Sequence, residues 1–254
     1  LQDPNILNKI VQIAEVSETD TVLEIGPGLG SLTRHLAASA KEVVAVEIDS
    51  WIIPALKASL DGYANSKVIE GDMLEIAPSE IISAPEYLVV ANIPYYITSA
   101  LLRHLLENNP RPNRMILTIQ KEVAKRICVP EGKKMSLLAL SVQVYGKPEI
   151  AGHIPAGAFY PPPKVDSAII CIKLYPKPRI PASLLDDFFL LAKAGFSQKR
   201  KTLRNALAGG MRLFTVKTES LLRAAEIDPR RRAETLNLDE WGRLSKEWVE
   251  TKKS

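Results

Sequence analysis

Short apolar runs alternate with helix-like segments through the first half of this 254-residue chain. The runs have the length of buried strands, and they lie near residues 21–25, 42–47, 66–70 and 87–91. Apolar residues recur at helical spacing near residues 4–16, 31–40 and 51–60. Strands that alternate with helices are typical of a parallel sheet, so the chain is predicted to form a doubly wound α/β fold.

The next elements extend this pattern and then close it. A helix is predicted over residues 97–107, a fifth strand over 114–119 and another helix over 136–145. Residues 147–153 and 165–174 follow with a strand-like pattern, and we expect them to form an antiparallel pair at the edge of the sheet.

A proline-rich segment, residues 175–181, marks the expected domain boundary. Residues 1–180 carry 18 Lys and Arg against 19 Asp and Glu, whereas residues 181–254 carry 15 against 10, so net charges of −1 and +5 make up the total of +4. Everything after the boundary has helical periodicity. The sequence therefore predicts an α/β domain over residues 1–180 and a small, basic, all-α domain over residues 181–254.

A glycine-rich loop follows the first predicted strand, and its sequence is Gly26-Pro27-Gly28-Leu29-Gly30. Because a helical pattern begins at Ser31, the loop joins a strand to a helix N-terminus, where backbone can approach a nucleotide-like ligand. The spacing is G-x-G-x-G rather than the G-x-G-x-x-G of dinucleotide-binding loops. It favours a ligand without a pyrophosphate, such as S-adenosylmethionine (AdoMet).

Acidic residues follow the next two predicted strands. Glu47 lies 21 residues after Gly26, where a carboxylate can accept hydrogen bonds from ribose hydroxyls; a solvated charge at a strand end is the alternative. Asp72, in Gly71-Asp72-Met73, can accept from an adenine amino group, and Met73 can pack on the adenine or donate its backbone N–H. An ordinary Gly-Asp turn has the same sequence pattern.

Asn92-Ile93-Pro94-Tyr95 follows the fourth predicted strand, and its chemistry suits methylation of an amino group on a planar ring. The lone pair of such an amine is delocalised, so the nitrogen is a poor nucleophile. The amide oxygen of Asn92 and a backbone carbonyl beside Pro94 can accept both N–H groups and free the lone pair. Tyr95 offers a face on which a base can stack. A Pro-containing turn that ends a strand is the alternative.

A second aromatic candidate lies in Phe159-Tyr160-Pro161-Pro162-Pro163. Because each proline fixes φ, the loop is stiff and can hold Phe159 as a stacking wall. The alternative is a rigid linker with a buried anchor.

Basic residues cluster twice in the predicted helical domain. Lys199, Arg200, Lys201 and Arg204 crowd the expected start of a helix whose apolar side uses Phe196, Leu203 and Leu207. A second cluster follows Pro229, and it consists of Arg230, Arg231 and Arg232. Such clusters neutralise RNA phosphates, although a solvated basic face has the same pattern.

Composition restricts the class of protein. No apolar run approaches the roughly 18 residues needed to span a bilayer, and no secretory signal pattern opens the sequence. Cys128 and Cys171 form no C-x-x-C motif, and the three histidines have no metal-ligand spacing, so no metal site is predicted. We therefore expect a cytoplasmic, monomeric protein without a membrane partner.

Seven segments together match one known family in chain order, and they cover residues 24–30, 46–49, 71–73, 92–98, 120–124, 159–167 and 196–205. By these segments the chain resembles the ribosomal RNA adenine N6-dimethyltransferases, specifically the type that acts on the small-subunit (16S) rRNA. The glycine loop alone is not specific, whereas the set is.

The resemblance implies a fold, a reaction and a partner. The fold is a class I AdoMet-dependent methyltransferase (Rossmann-like) sheet with a small all-α C-terminal domain that binds rRNA. The reaction is the transfer of two methyl groups from AdoMet to each of two adjacent adenosines in the hairpin near the 3′ end of small-subunit rRNA. The partner is the pre-small ribosomal subunit, and a second role in its assembly is also implied.

The resemblance also implies site residues. The AdoMet-binding positions are Leu1, Glu24, Gly26, Gly28, Glu47, Asp72, Met73 and Asn92. The positions that orient the amine and stack on the base are Asn92, Pro94, Tyr95 and Phe159. Leu1 matches the last residue of an N-terminal Gln-Asn-Phe-Leu segment, so we expect residues that precede it in relatives to be absent from this sequence.

Three other interpretations compete with this one. A related large-subunit rRNA methyltransferase shares Asn-Ile-Pro-Tyr, but the segments 161–167 and 198–205 favour the small-subunit type. A small-molecule or protein methyltransferase is disfavoured by the basic helical tail. A non-catalytic RNA-binding assembly factor is disfavoured because Asn92, Pro94, Tyr95 and Phe159 are all present.

Overall fold

The computed structural model describes residues 3–253, and the chain divides into two compact units. The first contains residues 1–125 and 147–174, and the second contains residues 126–146 and 175–254. The predicted division at residue 180 differs from this in one main respect, because residues 126–146 belong with the C-terminal helices. Met135 N–H donates to Glu234 O and Tyr175 N–H donates to Tyr145 O, which ties this segment into the second unit.

The first unit contains a seven-stranded sheet in the order β3-β2-β1-β4-β5-β7-β6. The strands are β1 (Thr21–Ile25), β2 (Glu42–Glu47), β3 (Ser66–Glu70), β4 (Leu88–Asn92), β5 (Arg114–Gln120), β6 (Gly146–Ile154) and β7 (Ser167–Leu174). Strands β1 to β5 pair in parallel, and β7 pairs with β5 antiparallel. The predicted doubly wound sheet with a closing pair of edge strands is confirmed.

Among the described residues, six helices begin in the first unit, each after a strand or before the first one. They are α1 (Pro4–Ala14), α2 (Ser31–Ala37), α3 (Ile53–Ser59), α4 (Pro78–Ile81), α5 (Thr98–Glu107) and α6 (Lys121–Ile127). Helix α1 begins where the Asp3 side chain accepts the Asn5 N–H, and it ends at Glu15 in the left-handed region. The sequence patterns did not predict α4 and α6, which are short.

The core of the first unit forms because β1, β2 and β4 are buried on both faces and mostly apolar, as expected for strands covered by helices on each side. One face packs against α1 and α2 through Leu7, Ile10, Leu32 and Leu36. Full burial of an aliphatic side chain of this kind stabilises the folded state by about 1.5–3 kcal/mol relative to leaving the side chain exposed. This core fixes the ends of the strands, where the polar motifs lie.

The second unit is helical, as predicted. Its helices are α7 (Leu137–Gln143), α8 (Leu185–Phe196), α9 (Leu203–Met211), α10 (Thr215–Ala224) and α11 (Leu238–Lys253). Trp241 of α11 is fully buried, stacked 6.0 Å from Phe196 and edge-on 6.5 Å from Phe188. Each such pair adds about 0.5–1.5 kcal/mol beyond burial. A Cβ at Gly195 would lie 2.8 Å from the Trp241 ring, so glycine is required there.

Within residues 3–253, no helix combines the length and the apolar character required to cross a bilayer. Neither cysteine forms a disulfide bond within this part of the chain; Cys171 is buried in β7 and Cys128 is half-buried in the second unit.

Candidate active site

The predicted loops of the first unit meet at the carboxyl edge of the parallel strands. Gly26 N–H donates to Val46 O at 3.0 Å, and Gly71 N–H donates to Glu47 O at 2.9 Å. A Cβ built on Gly26 would lie 3.8 Å from Cδ of Pro94. The structure therefore brings the ends of β1, β2, β3 and β4 together, where open α/β sheets bind their ligands.

The glycine loop depends on backbone conformations that other residues disfavour. Gly26 and Gly28 have φ of +68° and +60°, in the left-handed region. The space around Gly28 is open, whereas a Cβ on Gly30 would lie 2.6 Å from Ser59 Oγ of α3. Gly30 thus permits close packing of α2 on α3, and Gly28 leaves room for a ligand to approach the backbone.

Glu47 is 5% exposed and holds the glycine loop. Its Oε2 accepts from Gly28 N–H at 3.1 Å, and its Oε1 accepts from Asp49 N–H at 3.0 Å. A carboxylate has about four acceptor sites, so Glu47 retains capacity for ribose hydroxyls. The predicted role in ribose binding stays a prediction, and the observed contacts add a role in shaping the loop.

Glu24 is the buried acidic residue of β1, and it is 1% exposed. Burial raises the pKa of Glu24 to about 8; the Thr33 hydroxyl opposes this shift and the charge of Glu47 adds to it. Among the described residues, 3–253, none hydrogen-bonds Glu24 Oε2. A buried carboxyl with one oxygen that accepts no hydrogen bond from this part of the chain, at a ligand-binding edge, is suited to face a cation.

Asp72 and Met73 form the turn after β3. Asp72 is half-buried, and its Oδ1 accepts from Leu74 N–H at 2.8 Å, so one oxygen shapes the turn and the other is left for a ligand. Met73 is 3% exposed, so its side chain packs inside the protein. This burial favours its backbone N–H, rather than its thioether, as the predicted ligand contact.

Asn92 ends β4, and Tyr95 begins a short 3-10 turn, Tyr95–Ile97. Within residues 3–253 the Asn92 side-chain amide makes no hydrogen bond, so its oxygen is available to a substrate. Pro94 O accepts from Ile97 N–H at 3.2 Å. The carbonyl of Pro94 is therefore engaged in the turn, and the carbonyl of Ile93 is the one left beside the proline.

Tyr95 is half-buried, and its position is fixed at both ends. Its hydroxyl lies 2.6 Å from Oγ of Ser167, and its carbonyl accepts from Thr98 Oγ1 at 3.1 Å. Sequence patterns give Ser167 no role of its own, although it lies inside one of the family motifs. The interaction joins residues 72 positions apart, so only the three-dimensional structure could reveal it.

Phe159 follows a 3-10 turn, Ala156–Ala158, and is half-buried with part of its ring against the core of the first unit. No ring contact joins it to Tyr95 within the described part of the chain. The structure thus gives Phe159 the features of an anchor and leaves a partly exposed surface. Its predicted stacking role stays a prediction. Leu1, predicted to bind AdoMet, lies outside the described residues.

The basic residues of the second unit differ from the predicted arrangement. Lys199, Arg200 and Lys201 lie in the exposed turn between α8 and α9, not at the start of a helix. Of the first predicted cluster only Arg204 lies in a helix, and Phe196 ends the preceding one. The helix breaks because Thr202 has an extended conformation and Leu203 N–H donates to Arg231 O.

The three consecutive arginines of the second cluster have different surroundings. Arg230 is 88% exposed beside Asp228, and Arg232 is exposed. The Arg231 guanidinium pairs with both oxygens of Glu240 and with Thr235. Although burial opposes the effect, this pairing lowers the pKa of Glu240. Arg231 therefore stabilises the unit, and its side chain is not left for a phosphate.

A pocket of about 660 Å³ in the second unit is lined by Arg204, Glu219, Arg223, Glu226, Ile227, Asp228, Pro229 and Arg230. Glu219 accepts from Arg204 on one oxygen and from Arg223 on the other. The pairing holds two guanidiniums in place on neighbouring helices. Sequence patterns do not single out Arg223, because no basic residue neighbours it in the sequence.

Comparison with known proteins agrees with this geometry. Residues 1–248 match the family model described as ribosomal RNA adenine dimethylase. A ribosomal RNA small subunit methyltransferase A from Dehalococcoides mccartyi is 49% identical over 96% of this chain and 84% of that protein.

Two solved structures are similar over nearly the whole chain. A dimethyladenosine transferase from Plasmodium falciparum has a TM-score of 0.82 and 28% identity, over 99% of this chain and 98% of that one. The 23S rRNA methyltransferase ErmE has a TM-score of 0.75 and 27% identity, over 97% and 98%. With the strand-end motifs in place and the family model matched from residue 1 to 248, this chain belongs to the ribosomal RNA adenine dimethylase family.

Proposed function

We propose that the protein transfers methyl groups from AdoMet to N6 of two adjacent adenosines in the hairpin near the 3′ end of small-subunit rRNA. Each adenosine becomes N6,N6-dimethyladenosine during small-subunit biogenesis. The observation that carries the proposal is the position of Asn92-Ile93-Pro94-Tyr95 at the end of β4, beside the glycine loop after β1. A ligand in the loop and an amine at Asn92 would then be neighbours.

The residues of the carboxyl edge fit AdoMet, which is positively charged. Glu24, Glu47 and Asp72 supply three carboxyl groups, and Glu24 Oε2 is buried without a partner among residues 3–253. Gly28 leaves open space beside the loop backbone. When bound, AdoMet supplies the methyl group; Glu47 would accept from ribose and Asp72 from the adenine amino group.

Asn92 would orient the target amine. Its side-chain oxygen accepts one N–H of the exocyclic nitrogen, and the carbonyl of Ile93 accepts the other, since Pro94 O is already bonded to Ile97. Two acceptors draw the nitrogen toward tetrahedral geometry and free its lone pair. Positioning of this kind lowers the barrier through proximity and orientation. The proton leaves to solvent after transfer, so no general base is required.

The adenine must leave its stack before N6 can be reached. Tyr95 offers one face for the extruded base, and the exposed part of Phe159 offers the other. A base held between two rings would separate them, which agrees with the lack of a direct ring contact between Tyr95 and Phe159 in the described chain.

The second unit would hold the RNA. Lys199, Arg200 and Lys201 are exposed in one turn, and Arg230 and Arg232 are exposed in another. Exposed basic side chains neutralise phosphates and release counterions, which gives salt-dependent affinity. Arg204 is half-buried and paired with Glu219, so it would support this surface from beneath.

The small subunit is favoured over the large one by the named relatives, whereas the likeness to ErmE keeps large-subunit rRNA as the second candidate. We expect the protein to act in the cytoplasm as a monomer.

The test uses AdoMet with a radiolabelled methyl group and both ribosomal subunits from a strain that lacks the modification. Label in N6,N6-dimethyladenosine of small-subunit rRNA is expected. Label only in the large subunit, or in neither, would refute the assignment.

A further inference from the structure

Asp166, which immediately precedes β7, and Ser167, its first residue, contact the segments that carry both predicted stacking rings. Their side chains reach different neighbours, Tyr95 for Ser167 and Ala156 for Asp166. Strand β7 is antiparallel to β5, which places its first residue opposite Gln120, the last residue of β5. The start of β7 therefore lies at the same sheet edge as the end of β4.

Ser167 holds the first ring. It is fully buried, and its Oγ lies 2.6 Å from the Tyr95 hydroxyl. A tyrosine ring has few internal rotations, so a bond at the hydroxyl and another at the carbonyl, from Thr98 Oγ1, fix the plane of the ring. Loss of the serine hydroxyl would leave a half-buried phenol without this partner and free the ring to tilt.

Asp166 holds the segment of the second ring through the backbone. Its Oδ1 accepts from Ala156 N–H at 3.2 Å, and Ala156 O in turn accepts from Phe159 N–H at 3.2 Å. The backbone carbonyl of Asp166 also accepts from Lys121 N–H at 3.0 Å. The carboxylate is thus two hydrogen bonds away from the backbone of Phe159, and the backbone of Asp166 is bonded to the first residue of α6.

We propose that Asp166 and Ser167 are positioning residues that set the spacing and orientation of Tyr95 and Phe159 for the transferred adenine. The proposal rests on the proposed function. Neither residue touches substrate; Ser167 acts through the Tyr95 hydroxyl, and Asp166 acts through the Ala156–Ala158 turn. Their effect is therefore on turnover and base stacking, not on the affinity for RNA, which phosphate contacts dominate.

The test measures single-turnover methyl transfer to unmodified small ribosomal subunits by the wild type, Ser167→Ala and Tyr95→Phe. Misplacement of a reacting group by about 1 Å can cost about 100-fold, so we expect each variant to lose about 10- to 100-fold in rate with RNA affinity retained. Both changes remove the same hydrogen bond, so the double variant should be no slower than the slower single variant. Tyr95→Phe keeps the proposal testable should Ser167→Ala not fold.

Base stacking gives a readout that a loss of stability would not change in the same way. A hairpin RNA with 2-aminopurine at the target position reports stacking through quenching of its fluorescence. We expect weaker quenching with Ser167→Ala than with the wild type at saturating protein. The matched control is Ser66→Ala, whose hydroxyl donates to Tyr63 O at 2.7 Å away from the site; its rate and quenching should equal those of the wild type.

Two substitutions of Asp166 distinguish its role as a hydrogen-bond acceptor from the effect of its charge. Asp166→Asn retains an oxygen for Ala156 N–H, whereas Asp166→Ala does not. We expect Asp166→Asn to keep most of the rate and Asp166→Ala to lose about tenfold. Equal rates for Ser167→Ala and the wild type, or additive losses in the double variant, would overturn the proposal while methyl transfer by the wild type stands. A wild type that transfers no methyl group to small subunits would overturn the proposed function and this proposal together.

Discussion

Ionisable side chains differ in burial and hydrogen bonding between the carboxyl edge of the first unit and the basic turns of the second unit. At the edge, Glu24 and Glu47 are nearly fully buried, and Glu24 lacks a hydrogen bond on one oxygen within residues 3–253. In the second unit the half-buried charge of Arg231 is paired, while Lys199 and Arg200 are exposed. The comparison shows that buried carboxyls, one of them mostly protonated at neutral pH, lie at the expected ligand site, whereas exposed charges lie at the expected RNA surface.

The largest expected effect is at Asn92. We predict that Asn92→Ala slows methyl transfer about 100- to 1000-fold, the scale of losing one preorganised polar group at a reacting centre. RNA affinity should be unchanged, because phosphate contacts determine it. Single-turnover rates and filter binding measure the two quantities.

The matched control for Asn92 is Asn108→Ala, which removes an amide that donates to His104 O at 2.9 Å in the same unit. It should leave the rate unchanged. Near-normal turnover by Asn92→Ala would remove the basis for calling the carboxyl edge the catalytic region.

The next effect concerns the buried carboxyl. The pKa of Glu24 is about 8 in the folded protein and 4.5 ordinarily, so between these values the folded state keeps a proton that the unfolded chain has lost. Stability therefore falls as pH rises from about 4.5 to 8. We predict that Glu24→Gln raises the free energy of unfolding by about 2–3 kcal/mol at pH 7 and removes this slope.

Urea unfolding at pH 5 and pH 8 tests the prediction for Glu24. Glu75→Gln, at an exposed site of the same unit, is the control and should keep the slope of the wild type. If the unfolding free energy of Glu24→Gln depends on pH as that of the wild type does, the second oxygen of Glu24 has a hydrogen-bond partner in solution. The difference between the two units would then be smaller than the structure indicates.

The exposed turn gives a smaller and purely electrostatic effect. Reversal of Lys199, Arg200 and Lys201 to Glu should weaken binding of small-subunit hairpin RNA about tenfold at moderate salt. The slope of log affinity against log salt should fall by about 0.7–0.9 for each phosphate that is no longer neutralised. Reversal of the exposed lysines 41, 57 and 67 of the first unit is the control. An unchanged slope in the first variant would make the turn an ordinary solvated surface.

The smallest effects separate two neighbouring arginines. Arg231→Ala should lower the free energy of unfolding by about 1–2 kcal/mol, because Glu240 is 14% exposed and loses its partner. Since the pKa of Glu240 is lowered, this contribution is present above its ordinary value of 4.5 and is lost as pH falls below it. Arg232→Ala should leave stability within about 0.5 kcal/mol and reduce the salt slope by about 1. Equal free energies of unfolding for Arg231→Ala and Arg232→Ala would contradict the conclusion that Arg231, and not Arg232, stabilises the second unit.

The strands and the strand-end motifs were predictable because burial on both faces leaves continuous apolar runs that stop where a polar residue begins. Asn92, Glu47 and Gly26 can be located in this way from the amino-acid sequence alone. The break between α8 and α9 cannot, because it depends on Leu203 N–H finding Arg231 O, 28 residues later. Local periodicity therefore places Lys199 in a helix, whereas the tertiary hydrogen bond places it in a turn.

Hydrogen bonds between residues far apart in the sequence also explain why two other features were not predicted, namely the placement of residues 126–146 in the second unit and the partner of Tyr95. Sequence patterns assign a segment to its neighbours in the chain, whereas Met135 and Tyr145 form hydrogen bonds with Glu234 and Tyr175 of the second unit. Ser167 is separated from Tyr95 by β5, β6 and several helices. Pairings of this kind depend on sheet order, which periodicity alone does not specify.

Glu24 carries a further consequence for the ligand. With a pKa of about 8, the carboxyl of the free protein is mostly protonated at neutral pH. A cation that binds at this edge favours the ionised form, so the carboxyl gives up its proton to solvent as the ligand arrives. The affinity for a cationic ligand thus rises with pH until Glu24 is fully ionised, and the heat of binding varies with the ionisation enthalpy of the buffer.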